Sequence, residues 1–185
     1  MPFKFTPLSI PDVVLIEPKV FPDARGFFME TYHHEAFYEA GITVDFVQDN
    51  HSLSQKGILR GLHYQLNPHA QGKLLRVVSG AVMDYVVDIR KGSPTFGRVV
   101  SQRLDAERHN MLWVPAGFAH GFLTLEDHSA FLYKTTDLYT PSLERTISFF
   151  DPALGIDLPK GDFVMADKDR HAPGLSDAEN NYVYG

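Results

Sequence analysis

The chain has 185 residues, 44% hydrophobic and 22% charged, which is enough apolar material for one well-packed core and too little length to require two. Its 17 lysines and arginines against 23 aspartates and glutamates give a formal charge of −6, and it has no cysteine. That balance argues against nucleic-acid or anionic-membrane partners, and the missing thiols exclude disulfides, thiolate nucleophiles and cysteine-bound zinc. One domain spanning residues 1–185 is expected, less regular from about residue 141. The opening Met1-Pro2-Phe3-Lys4-Phe5 lacks the apolar stretch of a signal peptide, and no later run could span a bilayer. The expectation is therefore a cytoplasmic protein with no membrane attachment.

In chain order, residues 13–20 form a short β-rich run, Asp23-Ala24-Arg25-Gly26 has turn chemistry, and Phe27 to Glu30 resume an extended pattern. Residues 33–40 are the best helix, closed by Gly41. After residues 44–48, the polar Asp49-Asn50-His51-Ser52 leads to Gly57 and then to Arg60-Gly61-Leu62-His63-Tyr64-Gln65. That stretch places a charged donor, a flexible backbone point and an imidazole within six residues. Flanked by Leu62 and Tyr64, His63 suits proton abstraction near neutral pH, although an isolated strand histidine is more often a hydrogen-bonded structural residue. Arg60 would face away from His63 in a regular strand, so their joint use requires a bulge, for which Gly61 is suited.

Residues 73–78 and 81–89 flank Ser79-Gly80, which predicts a two-residue hairpin. Val78 would then oppose Ala81, Leu75 would oppose Asp84, and Lys73 and Asp84 would be diagonal neighbours. On the second strand Ala81, Met83, Tyr85, Val87 and Ile89 share an apolar face, and Asp84 and Asp88 lie on the other, turned to a polar lumen or to solvent. Further strands are expected through Leu112-Trp113-Val114, residues 122–125 and residues 129–139, the last with Phe131, Tyr133, Thr135, Asp137 and Tyr139 on one face. Many short strands, Gly/Pro turns and little helix predict a mainly β jelly-roll barrel with short peripheral helices. Pro115-Ala116-Gly117-Phe118-Ala119-His120 resembles the second cupin motif. The first cupin motif normally supplies paired histidines, whereas His63 is followed by Tyr64 and Gln65, so no bound metal is expected.

Taken together, RGLHYQ at 60–65, the hairpin region at 71–97, LWVPAGFAHGFLTLEDHSAFLYKTTDLYTP at 112–141, DARGFFMETY at 23–32 and QDNHS at 48–52 resemble the dTDP-4-dehydrorhamnose 3,5-epimerase family. The tail matches more loosely: Leu158-Pro159 stands where the family usually has Trp-Pro, and Ala166-Asp167-Lys168-Asp169 where it has Ser-x-Lys-Asp. The resemblance implies a homodimeric, cofactor-independent cupin that inverts C3 and C5 of a 4-keto-6-deoxyhexose carried on dTDP. Both carbons flank the C4 ketone, so each proton is acidified by enolate formation and no redox cofactor is needed. By the resemblance His63 is the base, Tyr133 the acid on the opposite face, and Lys73 the cation for the C4 oxyanion. Asp169 orients His63, with Asp84 as the second choice. Arg25, Glu30, Gln48, Asp49, Asn50, Arg60, Lys73, His120, Glu144 and Lys168 match ligand-binding positions, and Tyr139 matches the ring that stacks on thymine. The segment from Arg25 to Glu30 would reach the partner subunit's site.

Overall fold

Short antiparallel strands dominate the computed structural model, which describes residues 2–185. Met1, the first residue of the opening stretch weighed above as a leader, lies outside the described residues. The first elements are β1 (Phe3–Pro7), β2 (Val14–Pro18), β3 (Val20–Asp23), β4 (Gly26–Met29), α1 (His34–Glu39) and β5 (Gln48–Ser54). There follow β6 (Leu59–Gln65), β7 (Lys73–Ser79), β8 (Ala81–Asp88), β9 (Val99–Asp105), β10 (Met111–Val114), β11 (Phe118–Thr124) and β12 (Ser129–Thr135). After a 3-10 turn (Pro141–Leu143), β13 (Glu144–Thr146), a second 3-10 turn (Pro152–Leu154) and the short α2 (Asp167–Arg170) complete the regular structure. One sheet runs β1-β2-β10-β7-β12-β5, a second runs β13-β6-β11-β8-β9, and β3 and β4 form a separate hairpin. The architecture is the mainly β, jelly-roll type expected from the strand pattern.

Two-residue alternation decides what fills each layer. Leu75, Val77, Val82, Val86, Phe122 and Phe131 come from both sheets and pack as one inner core. The alternate residues of β6, β8 and β11, among them Leu59, Tyr85, Val87 and Leu123, point outward and are covered by Ile147, Phe149, Leu154 and Tyr182 from the C-terminal segment. On the outer face of the other sheet, Leu74, Met111 and Trp113 pack against α1 through Ala36 and Phe37. The helix is capped as its sequence suggests, with the His33 ring accepting from the Ala36 amide and Gly41 at φ +88°.

Three expectations are corrected. The predicted Lys73/Asp84 hairpin does not form: β7 pairs with β10 and β12, and β8 with β11 and β9. Both are interior strands with no free edge, so Ser79-Gly80 carries the chain from one sheet to the other, where Ala81 N–H donates to Ser129 Oγ at 3.2 Å. A two-residue Ser-Gly link between alternating runs serves either topology, and only the remaining pairings choose between them. The polar stretch 48–54 is itself a strand, β5, paired along its length with β12 at the sheet edge. Finally, β12 ends at Thr135, so Phe131, Tyr133 and Thr135 share the inner face while Asp137 and Tyr139 belong to the following loop.

Candidate active site

At one end of the space between the sheets the inward-facing residues change from aliphatic to polar, around a cavity of about 400 Å³. The β6 wall is shaped by a bulge. His63 pairs with His120 and Arg60 with Phe122, so three steps along β6 face two along β11. The extra residue reverses the alternation and turns both Arg60 and His63 into the cavity. Gly61 makes this fit: its φ is +113°, and a Cβ there would lie 2.6 Å from the Gly121 Cα and 2.7 Å from the His120 carbonyl oxygen.

His63 is held from behind. Its Nε2 lies 2.6 Å from Asp169 Oδ1, while Asp169 Oδ2 accepts the Gly61 N–H at 3.2 Å. Asp169 is 2% exposed, so α2 acts as a plug that delivers one carboxylate to the back of the imidazole. Burial pushes the Asp169 carboxyl up, but the bonds from His63 and Gly61 outweigh it and hold the group below its ordinary value. A carboxylate accepting from one ring nitrogen leaves the other with its lone pair, the tautomer a general base requires.

Asp84, the alternative partner for His63, is committed elsewhere: its Oδ2 lies 2.8 Å from His120 Nε2. This second pair is buried, and Asp84 Oδ1 has no hydrogen-bond partner. Beside it stands Lys73, also buried, whose ammonium makes a long 3.4 Å bond to the His63 carbonyl oxygen. Lys73 and Asp84 thus do share a space, but from different sheets rather than as cross-strand neighbours. Burial lowers Lys73 to about 8 against the attraction of Asp84 and Glu144, and burial raises Asp84 against the pull of His120 and Lys73. Burial likewise lowers His120 despite Asp84. Filling this layer with a leucine or phenylalanine would contribute about 1.5–3 kcal/mol per side chain. A buried lysine and aspartate in its place mark a site kept for charge rather than for stability.

Tyr133 enters from the other wall, on β12 opposite Asn50 and Leu75. Burial, then Glu144, raise its pKa, so the phenol keeps its proton near neutral pH. His63 and Tyr133 therefore line one cavity from two different sheets.

Gln48, Asn50, Tyr139 and Glu144 line the mouth. Tyr139 donates from its hydroxyl to Glu144 Oε2 at 3.1 Å, and Lys168 Nζ donates to the same oxygen at 2.6 Å. Four of the residues matched to ligand contacts do not line this cavity themselves, and of these Lys168 reaches its edge only through the bond to Glu144. Asp49 points to the other side of β5 and pairs with Lys134 at 2.9 Å, as alternation between Gln48 and Asn50 dictates. Arg25 sits at the β3–β4 turn with its side chain 88% exposed and bonded to Asp23, and Glu30 follows β4. Conversely Ser52, Gln65 and Gln71 line the cavity without having been singled out. Two-residue steps from Asn50 and from His63 point to Ser52 and Gln65. Among the described residues, no three His, Asp or Glu side chains are grouped to hold a metal ion.

Comparison with known proteins gives a consistent result. A family model described as dTDP-4-dehydrorhamnose 3,5-epimerase matches residues 7–177. The dTDP-4-dehydrorhamnose 3,5-epimerase of Pseudomonas aeruginosa is 54% identical over 178 residues, covering 95% of this chain and 98% of that protein. The Legionella pneumophila RmlC crystal structure, in complex with dTDP-4-keto-L-rhamnose, superposes with a TM-score of 0.91 at 46% identity, covering 94% of this chain and 93% of the other. ChmJ of Streptomyces bikiniensis, a 3'-monoepimerase in complex with dTDP-quinovose, gives 0.87 at 38% identity over 92% and 87% of the two chains.

Proposed function

This chain belongs to the dTDP-4-dehydrorhamnose 3,5-epimerase family, and from that premise we propose that His63 and Tyr133 are the two proton-transferring groups of its reaction. The enzyme is an isomerase that inverts C3 and C5 of dTDP-4-dehydro-6-deoxy-D-glucose to give dTDP-4-dehydro-L-rhamnose, in dTDP-L-rhamnose biosynthesis. His63, oriented by Asp169, removes the proton beside the C4 ketone. Electron density moves to O4, where the Lys73 ammonium meets a charge that exists only as the proton leaves. Tyr133 returns a proton from the other face; His63 then releases its proton to solvent, Tyr133 takes one up, and the cycle repeats at the second carbon. A positioned base contributes about 10²–10⁴-fold and an oxyanion donor about 10²–10³-fold, so neither reaches ordinary enzymatic acceleration alone. What carries the reading is the entry of an imidazole and a phenol from different sheets into one cavity with a buried cation.

At the mouth, Tyr139 stacks on the thymine and Arg60, Gln48, Asn50, Glu144 and Lys168 hold the rest of the nucleotide, while His120 meets the sugar from the buried floor. Arginine suits the diphosphate because its fork makes paired charge-assisted bonds. Arg25 and Glu30 enter through a homodimer in which the β3–β4 hairpin reaches the partner subunit's cavity. The exposure of Phe21, Phe27 and Phe28 on that hairpin, at 45%, 57% and 67%, supports such a contact. The reading is of one cytoplasmic domain working without a cofactor, its product destined for a cell-surface polysaccharide such as lipopolysaccharide.

Turnover in deuterated buffer tests the assignment: label is expected at both C3 and C5 of the keto-sugar. Label at C3 alone would instead place the enzyme with the monoepimerases that its likeness to ChmJ also brings into view.

A further inference from the structure

Tyr139 presents a problem that burial does not solve. The residue is 50% exposed and the preceding Leu138 is 58% exposed, so little apolar packing holds the loop after β12 in place. A ring that receives a planar base must nevertheless be fixed beforehand, or ordering it consumes part of the affinity it supplies.

Besides Glu144 at the Tyr139 hydroxyl, Thr135 at the Asp137 carbonyl and His69 at the Asp137 carboxylate, the tethers are amide side chains, and one of them is buried. Gln65 is 3% exposed and uses every polar atom of its amide on backbone groups. Its Nε2 donates to the carbonyl oxygens of His69 at 2.6 Å and Leu138 at 3.1 Å, and its Oε1 accepts the Thr140 N–H at 2.6 Å. The Leu138 carbonyl and the Thr140 amide bracket Tyr139. Gln48 and Gln71 add one bond each, to the Tyr139 N–H at 3.0 Å and the Asp137 carbonyl at 2.8 Å, but only Gln65 grips both sides of the ring-bearing residue. Gln65 also lies two residues beyond His63 on β6, so one strand carries the proposed base and the anchor of the proposed platform.

We propose that Gln65 is a positioning residue for Tyr139: from the His63 strand it fixes the 137–140 loop and thereby sets where, and how firmly, the nucleotide base stacks. The inference rests on Tyr139 being the stacking ring. Leu138 and Thr140 are engaged only through their backbones, so their own side chains can vary without loosening the grip. Gln65 cannot: glutamate would keep the acceptor for Thr140 but turn a carboxylate oxygen toward two carbonyls, and methionine would keep the volume with no bond at all.

dTDP binding to the intact enzyme, measured by calorimetry, tests this with Gln65→Glu, Gln65→Met, Tyr139→Ala and the Gln65→Glu/Tyr139→Ala double variant. Loss of base stacking alone corresponds to about 5- to 150-fold in affinity. Each Gln65 variant is expected to weaken dTDP within that range, with KM rising in step and kcat at saturating substrate staying within about threefold of the unaltered enzyme's. The double variant should bind no more weakly than Tyr139→Ala, because both polar atoms of the Gln65 amide, although the residue lines the cavity, are spent on backbone and act on the base only through the ring's loop. Multiplying losses in the double variant, unchanged dTDP affinity in the Gln65 variants, or a fall in kcat without a change in affinity would each overturn the proposal. In the unaltered enzyme, where no variant need fold, slow hydrogen exchange is expected at the Thr140 amide, and free exchange there would equally sink it. Unchanged affinity in Tyr139→Ala would remove the platform on which the inference depends, whereas deuterium label at C3 and C5 reports separately on the epimerase chemistry.

Discussion

Two imidazole–carboxylate pairs lie across from each other in this protein, His63 with Asp169 and His120 with Asp84, on strands where the two histidines are register partners. Their chemistry is the same and their surroundings are not. The His63 side chain is 26% exposed and both oxygens of its aspartate are bonded. His120 and Asp84 are buried, with one Asp84 oxygen unbonded and Lys73 close by. In the proposed mechanism the first pair can give and take a proton because substrate reaches its ring and its carboxylate is fully committed to orienting it. The second supplies a counter-charge in the buried floor and steadies the Lys73 cation. A His–Asp contact by itself predicts neither role; solvent access and the fate of the fourth oxygen separate them.

Substitutions should break the symmetry unequally. His63→Ala and Asp169→Asn are expected to lower kcat by about 10²–10⁴-fold, because one removes the base and the other frees the wrong tautomer. dTDP affinity, read by calorimetry, should stay near that of the unaltered enzyme in both. Lys73→Met should cost about 10²–10³-fold in kcat, the value of one preorganised oxyanion donor.

Asp84→Asn acts through pH rather than through the base. Lys73 titrates at about 8, with Asp84 and Glu144 the negative groups that favour its charged form and His120 the neighbour bonded to Asp84. The ammonium is the active form, so kcat should fall as pH rises through about 8. Removing the Asp84 charge should move that alkaline limb to lower pH, whereas Asp169→Asn should lower the plateau and leave the limb in place. A pH–rate profile of each variant distinguishes them.

The smallest expected effect is on stability. Lys73 is lowered from 10.5 to about 8 on folding, so between those values the unfolded chain binds more protons and stability rises with pH. Lys73→Met should therefore stabilise the fold below pH 8, by about 2–4 °C in Tm for each kcal/mol of relieved burial cost. That advantage should shrink as pH climbs toward 10.5. Thermal melts at two pH values measure it.

How much of this was legible in the letters depended on range. The alternation of apolar residues in β8 marked Asp84 and Asp88 as facing away from the apolar row, and the clash between Arg60 and His63 on a regular strand pointed to the bulge that Gly61 provides. The Ser79-Gly80 link could not reveal that its strands part, because a corner between sheets and a hairpin use the same two residues. Asp169 lies 106 positions from His63, and no local pattern connects them; only the resemblance to a family did. Arg25 and Glu30 came from that resemblance too, and within one chain nothing draws them to the cavity. Gln65 went unnoticed because its partners are backbone atoms of a loop whose path the sequence does not specify.

The central claim is that an imidazole and a phenol work on opposite faces of one sugar ring, and Tyr133→Phe in deuterated buffer tests it most directly. With His63 intact, the variant should still exchange the protons beside the ketone, delivering deuterium to the face each proton left and giving labelled keto-sugar of unchanged configuration. Labelled product with C3 and C5 inverted at the rate of the unaltered enzyme would contradict the account.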